Sequence, residues 1–451
     1  MRQMISLKKL KKTTFKNLAL LFSLIASFGV TSAQEIFDLN KCITTGLERN
    51  FSILVARNNE EIAKANYTRG NAGYLPTITT NNSLGGNLNK INQNFADGGK
   101  ASHDITHNSS GTLGVSLNMD IFRGFSVQTT YQKLNELQQL GELKTQVQIE
   151  NMTANIVSEY YRYIQQVGIY HNLKYAVSFS RERARIDEER YLLGSFSKLE
   201  LLQSMVYLNA DSSIYEQQSE ALRASQVRMN ELMALENLGT DFAPFDSAIA
   251  INADLKFEDL LESTLRHNSN LLIAAKNQVI SEMDYKIIAA RAYPYVTAST
   301  GYGYNYNRYG NSSVKSQHAQ GLNYGVSVGM SIYDGNNRKR EKNNALLEIE
   351  SRKYVYQEVE QAVRADLLTI YFAYENNLRL LKLEQQNLEV ARENLEIAME
   401  RYKLGNLSGI DLREVQKSLL DAEQRLLSVK FLAKLAEISL LQISGRIMEY
   451  I

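Results

Sequence analysis

The chain repeats itself once, and the repeat constrains its architecture more than any other feature. Leu47-Glu48-Arg49-Asn50 recurs as Leu265-Arg266-His267-Asn268, and Tyr74-Leu75-Pro76-Thr77-Ile78-Thr79 as Ala292-Tyr293-Pro294-Tyr295-Val296-Thr297, at one common offset. Met119-Asp120-Ile121-Phe122-Arg123-Gly124 then recurs as Met330-Ser331-Ile332-Tyr333-Asp334-Gly335, and Arg190-Tyr191-Leu192-Leu193-Gly194 as Arg401-Tyr402-Lys403-Leu404-Gly405, at a slightly shorter one. Copies that keep spacing while losing identity are built to bury the same faces twice. Each half reads as helix, strand, strand, long helix, helix. The first repeat, 34–235, places strands at 75–91 and 111–123, a long helix at 125–189 and a helix at 197–235. The second, 256–445, places strands at 294–309 and 322–334, a long helix at 336–402 and a helix at 409–445, leaving a linker at 236–255 and a tail at 446–451.

The strand segments alternate with a period of two, which no helix gives. Leu113, Val115, Leu117, Met119 and Ile121 point one way while Gly114, Ser116, Asn118 and Asp120 point the other. Tyr324, Val326, Val328, Met330 and Ile332 alternate with Gly325, Ser327, Gly329 and Ser331 in the second copy, and Tyr302, Tyr304 and Tyr306 with Gly301, Gly303 and Asn305 upstream. One face is apolar and aromatic, the other small and polar. Strands of about 10 residues joined by long polar loops (92–110 and 310–321) have the dimensions and polarity of a membrane barrel wall. Four strands cannot close such a barrel, because the smallest have about eight and an open edge is not tolerated in lipid. The chain must therefore complete its wall with further copies of itself.

Composition agrees with long uninterrupted elements. Only three prolines occur, Pro76, Pro244 and Pro294, so 77–243 and 295–451 contain none, and each long helix reaches about 100 Å at 1.5 Å per residue. Leu412, Val415, Leu419, Ala422, Leu426, Val429, Ala433, Ala436 and Leu440 follow a three-four spacing, and Leu381, Leu388, Leu395 and Tyr402 a seven-residue one, the seams of coiled helices. Residues 1–33 read as a signal peptide: Arg2, Lys8, Lys9, Lys11, Lys12 and Lys16 precede the apolar run Leu18–Val30, and Thr31-Ser32-Ala33 ends on a small residue. Cleavage there turns the formal charge of +1 mildly negative. With one cysteine, Cys42, an exported chain forms no internal disulfide and is held by packing.

The residues that carry a resemblance are the duplicated Arg190–Ser197 and Arg401–Ser408, the strand starts at Pro76 and Pro294, and the strand exits at Phe122–Gly124 and Tyr333–Gly335. In this order and spacing, over essentially all of the mature sequence, they resemble the TolC family of outer-membrane efflux channels. The resemblance implies an α+β membrane protein: a trimeric, twelve-stranded outer-membrane β-barrel with four strands per chain, continued by a long α-helical coiled-coil barrel in the periplasm, with 236–255 in an equatorial belt. It implies no enzyme activity and no cofactor. The implied role is a passive exit duct for small molecules in a tripartite system, with a periplasmic adaptor protein and an inner-membrane transporter as partners and outer-membrane lipid around the barrel. A duct for type I protein secretion, and a coiled-coil structural or adhesive surface protein, are the alternatives.

Gly194 and Gly405 follow helix ends and supply left-handed residues, while Ser197 and Ser408 can cap the next helices, so each motif is a tight helix–helix turn. The resemblance makes these turns the adaptor contact, through Tyr191, Leu193, Gly194, Ser195, Leu404, Gly405, Asn406 and Ser408. Asp411 and Glu414 lie three apart on one helix face and would ring the tunnel end in an oligomer, favouring cations and raising their own pKa values by mutual repulsion. The first repeat has Glu200 and Gln203 there. The family's basic latch residue falls on Leu407, and Tyr402, counted with Asp411 and Glu414 in the aperture, can hydrogen-bond across helices. His103, His107 and His318 read as solvated loop residues, without the Cys or acidic cluster of a metal site. No nucleophile with a paired His, no phosphate loop and no basic stripe for nucleic acid appears.

Overall fold

A computed structural model of the protein describes residues 36–246, 248–310 and 312–450; the expected signal peptide lies outside them. The first repeat contains β1 (Ile36–Phe37), α1 (Leu39–Arg49), α2 (Phe51–Asn66), α3 (Arg69–Ala72), β2 (Thr77–Asn94), β3 (Lys100–Arg123), α4 (Ser126–Leu192) and α5 (Lys198–Leu232). After β4 (Ala243–Pro244), the second contains α6 (Phe257–His267), α7 (Ser269–Ala290), β5 (Tyr295–Arg308), β6 (Ser316–Gly329), α8 (Asn337–Lys403) and α9 (Gly409–Ile443), and Ile447–Tyr450 forms a closing 3-10 turn.

The helix expected at the start of each repeat is two helices, broken at Asn50 and at Asn268. Each asparagine turns to extended backbone and caps the following helix, Asn50 accepting from Ser52 N–H at 2.9 Å and Asn268 from Asn270 and Leu271 N–H at 3.1 Å. Its amide then donates to the carbonyl of the last residue in the final helix of its own repeat: Asn50 to Leu232 (3.1 Å), Asn268 to Ile443 (2.9 Å). One side chain thus ends one helix, starts another and ties off a third, so Asn268→Ala should cost roughly 1–2 kcal/mol in thermal unfolding. Asn50→Ala should cost a similar amount.

The strands form one antiparallel sheet in the order β2-β3-β5-β6. Its register stacks residues of like polarity into rows: Ile78, Leu117, Thr300 and Tyr324 lie abreast, as do Thr80, Val115, Tyr302 and Leu322. Thr79, Ser116, Gly301 and Asn323 form a row of the opposite face. No helix packs across the apolar face among the described residues, and Leu84 and Tyr324 on it are more than four-fifths exposed. A sheet with a core on one side is therefore not what this chain builds.

Strand boundaries differ from expectation in both copies. The segment 92–110 is no loop: β2 and β3 continue through it as a two-stranded ribbon that turns at Gly98 (φ +84°). Its polar side chains hid it, because ladder hydrogen bonds do not depend on which side chains the strands carry. In the second copy β6 begins at Ser316, inside the expected loop, and stops at Gly329 rather than 334. Gly329 faces Tyr295, and before Tyr295 stands Pro294, which has no N–H to extend the ladder. His103, His107 and His318 accordingly lie on strands.

Each strand continues into one helix. β3 leads to α4 and β6 to α8 through two successive left-handed residues, Gly124 and Phe125 (φ +60° and +67°) and Gly335 and Asn336 (+69° and +66°). At Gly124 a side chain is impossible, since a Cβ would sit 2.3 Å from the carbonyl oxygen of Ala290. The helices keep the order of the strands: near the sheet α2 packs on α4, α4 on α7 and α7 on α8, and further away α5 packs on α4, α4 on α9 and α9 on α8. The protein is a wall one layer thick. Its edges are β2, α2 and α5 on one side and β6 and α8 on the other.

Between the two storeys the segment after α5 lies against the helices. Phe242 is buried edge-on against Tyr160 and Tyr163, and the Tyr163 hydroxyl donates to its carbonyl at 2.9 Å. The tail closes this region: Lys434 and Glu437 form a buried ion pair at 2.7 Å, Glu437 also accepts from Asn252 N–H and the Tyr450 hydroxyl (both 2.9 Å), and Lys434 lies between the Tyr161 and Tyr450 rings.

Candidate functional site

The end of the wall farthest from the sheet is two helix hairpins side by side. In α4–α5 the Ser195 N–H bonds the Arg190 carbonyl (3.0 Å) and the Gly194 N–H that of Tyr191 (3.0 Å), with Gly194 at φ +74°. In α8–α9 Asn406 and Gly405 repeat the pattern on Arg401 (2.8 Å) and Tyr402 (3.0 Å), with Gly405 at +78°. Two crossed bonds around a left-handed glycine end a helix within one turn, and the serine three residues on starts the next. Ser197 caps the Glu200 N–H while the Glu200 carboxylate accepts from Ser197, which pulls that carboxyl below its ordinary range. Ser408 caps the Asp411 N–H at 3.1 Å and donates to the Asp411 carboxylate at 2.8 Å.

The outer surface of the turns is apolar. Leu193 and Leu404 are 83% and 75% exposed, with Leu192, Leu199 and Ile410 exposed beside them, Tyr191 partly so, and Ser195, Asn406 and Ser408 among them. Asp411 and Glu414 are exposed on the first turns of α9, and Gln203 on α5. Leu407 packs, half-buried, against the buried cluster that includes Tyr402 and Leu412.

Tyr402 is fully buried, and its hydroxyl donates to Asp187 on α4 across the two hairpins. Burial, and then that carboxylate, push the phenol above its ordinary range; burial raises Asp187 too, against the bonds it accepts from Tyr402 and Ser204. Arg190 crosses the same gap, donating to the carbonyls of Tyr402 (2.6 Å) and Lys403 (3.2 Å) at the end of α8, where a cation complements the helix dipole. Deeper in, Arg413 on α9 grips buried Asp211 on α5 with two bonds of 2.7 and 2.8 Å, and Gln416 reaches the Ser180 hydroxyl at 2.9 Å. Sequence reading missed Asp187, Asp211, Arg413 and Gln416. Their only linear signal is a polar residue interrupting an otherwise apolar helix face.

The chain is thus a wall with free edges, one face of its sheet apolar and the other small and polar, continued by helices and ending in turned tips. Residues 260–446 match the family described as outer membrane efflux protein. No curated protein sequence matches the chain significantly. Among solved structures the outer-membrane channel OprN is similar, with a TM-score of 0.74 and 17% identity over 90% of this chain and 89% of that one. So are VceC of Vibrio cholerae (0.72, 15%, 90% and 96%) and the CmeC outer membrane channel of Campylobacter jejuni (0.73, 16%, 90% and 85%). The sequence match thus covers the second repeat, and the fold of the whole chain is similar to that of these outer-membrane proteins. Among the described residues no cluster of His, Cys, Asp or Glu is placed to hold a metal.

Proposed function

We propose that three copies of this chain close into a passive exit duct of the outer membrane. Three four-stranded sheets give a barrel of twelve strands with Val115, Tyr302 and Tyr324 toward lipid and Ser116, Gly301 and Asn323 toward water. The helices continue it into the periplasm. The observation that carries this reading is that strands and helices share one order, so the wall ends on the same two sides at every level. The edge helices are prepared for a neighbour: Leu383, Val390 and Ile397 on α8, with Leu404 just past its end, make an exposed seven-residue stripe, and Leu199, Leu202 and Val206 an exposed one on α5. The resemblance to the TolC family implies three copies rather than two.

In the tripartite reading the apolar tips around Leu193, Gly194, Leu404 and Gly405 dock a periplasmic adaptor, an inner-membrane transporter supplies the energy, and small molecules are the cargo. Asp411 and Glu414 ring the periplasmic aperture with Tyr402 behind them, and their carboxylates select cations. Single-channel recording of the purified oligomer in a planar bilayer tests this. The wild type is expected to conduct with cation preference, and Asp411→Ala with Glu414→Ala to conduct without it. A conducting double variant with unchanged selectivity removes the aperture assignment, while a well-inserted wild-type oligomer that never conducts removes the channel.

A further inference from the structure

Arg183 of α4 is 1% exposed, and none of its Nε, Nη1 and Nη2 atoms has a hydrogen-bond partner among the described residues. Its guanidinium lies over the face of Tyr207, 4.9 Å away, which it shares with the guanidinium of Arg413 at 5.2 Å. Burying a cation without a carboxylate is among the costliest arrangements in a fold, and a like charge beside it adds to the cost. Two carboxylates lie close enough to act on it, Asp187 and Asp211. Both are taken. Asp187 accepts from Tyr402 and Asp211 from Arg413, so each is held by a side chain of the α8–α9 hairpin.

Asp187 stands four residues after Arg183 on the same helix, the spacing at which an arginine and an aspartate pair without help from any other element. The bond that ties the two hairpins at Tyr402 thus exists at the expense of a pair that α4 could make alone. We propose that Arg183 is a competitor built into the tip: when α8–α9 moves away from α4–α5, Arg183 takes the released Asp187 and Asp211, so that separation of the hairpins gives up far less than its broken bonds. The packed arrangement and the separated one then lie close in free energy, which is what a two-state element requires. A residue kept only to fill space would not be an arginine, since an unbranched apolar chain fills the same volume without the desolvation cost.

This inference rests on the channel reading, and its test separates the two. Open-to-closed ratios are read from single-channel records of wild type, Arg183→Met, Arg183→Lys, Asp187→Asn, and Asp187→Asn with Arg183→Met. Methionine at 183 is expected to lower the ratio on the order of tenfold, since a buried charge without its partner is removed from the closed tip, and lysine to leave it near wild type. With asparagine at 187 the effect of methionine should shrink, because the separated tip then leaves Arg183 only Asp211, the non-additivity expected of contacting groups. A ratio that rises or stays level in Arg183→Met overturns the proposal. So does an Arg183→Met chain that fails to assemble where Arg183→Lys assembles, because the charge would then serve the closed packing. Silence of the wild type would sink the channel reading instead.

Discussion

Val115→Arg is expected to abolish membrane insertion while the helices still fold. Val115 lies on β3, an inner strand, flanked in its row by Thr80 and Tyr302 and half exposed on the apolar face. An arginine at mid-depth on the lipid face of a barrel costs about 2–4 kcal/mol per strand, and a symmetric oligomer meets that cost in every copy. Ser116→Lys, one residue on and facing the other way, is the control: it should insert and shift conductance toward anions. Membrane fractionation with detergent-resistant oligomer on gels reads both. Equal insertion of the two variants would mean that the exposed apolar face meets something other than lipid.

Glu437→Leu should be the most destabilising single change in the helical part, by about 3–5 kcal/mol, because it strands Lys434 as an uncompensated buried charge. It also removes the acceptor for the Asn252 N–H and the Tyr450 hydroxyl, so residues 447–450 should come free. The paired variant Lys434→Met with Glu437→Leu should recover most of the loss, since two apolar chains need no partner. Thermal unfolding measures the first effect, and hydrogen exchange at 447–450 the second. Full recovery of stability without recovery of protection at the tail would show that the Tyr450 bond, rather than the ion pair, holds the end of the chain.

Much of the wall was legible in the sequence because its signals are local. Alternation in 112–122 and 295–306, the prolines before the strands and the glycines at the tips each act within a few residues, and the structure places strands and turns there. Asn50 and Asn268 were visible as repeat markers but not as helix breaks, since asparagine earns that role by bonding Leu232 and Ile443, each more than 170 residues away. The ribbon through 92–110 failed for the opposite reason, being local but without hydropathy. Asp211 and Arg413 are 202 residues apart, and only the packing of α4 against α9 tells a buried polar partner from a solvated one.

Under the proposed closure of three copies, the free edges have a consequence for the history of each molecule before it has neighbours. A lone copy presents β2 and β6 as unpaired templates, beside a sheet face of exposed valine, leucine and tyrosine. Such edges accept any strand offered, so wrong pairing competes with closure for as long as single copies persist. The ribbon of β2 and β3, which outruns its neighbours, is paired within the chain and can form first, before any second copy arrives. Quality control of this protein is therefore a race, won by whatever shortens the interval between synthesis and the joining of the last edge.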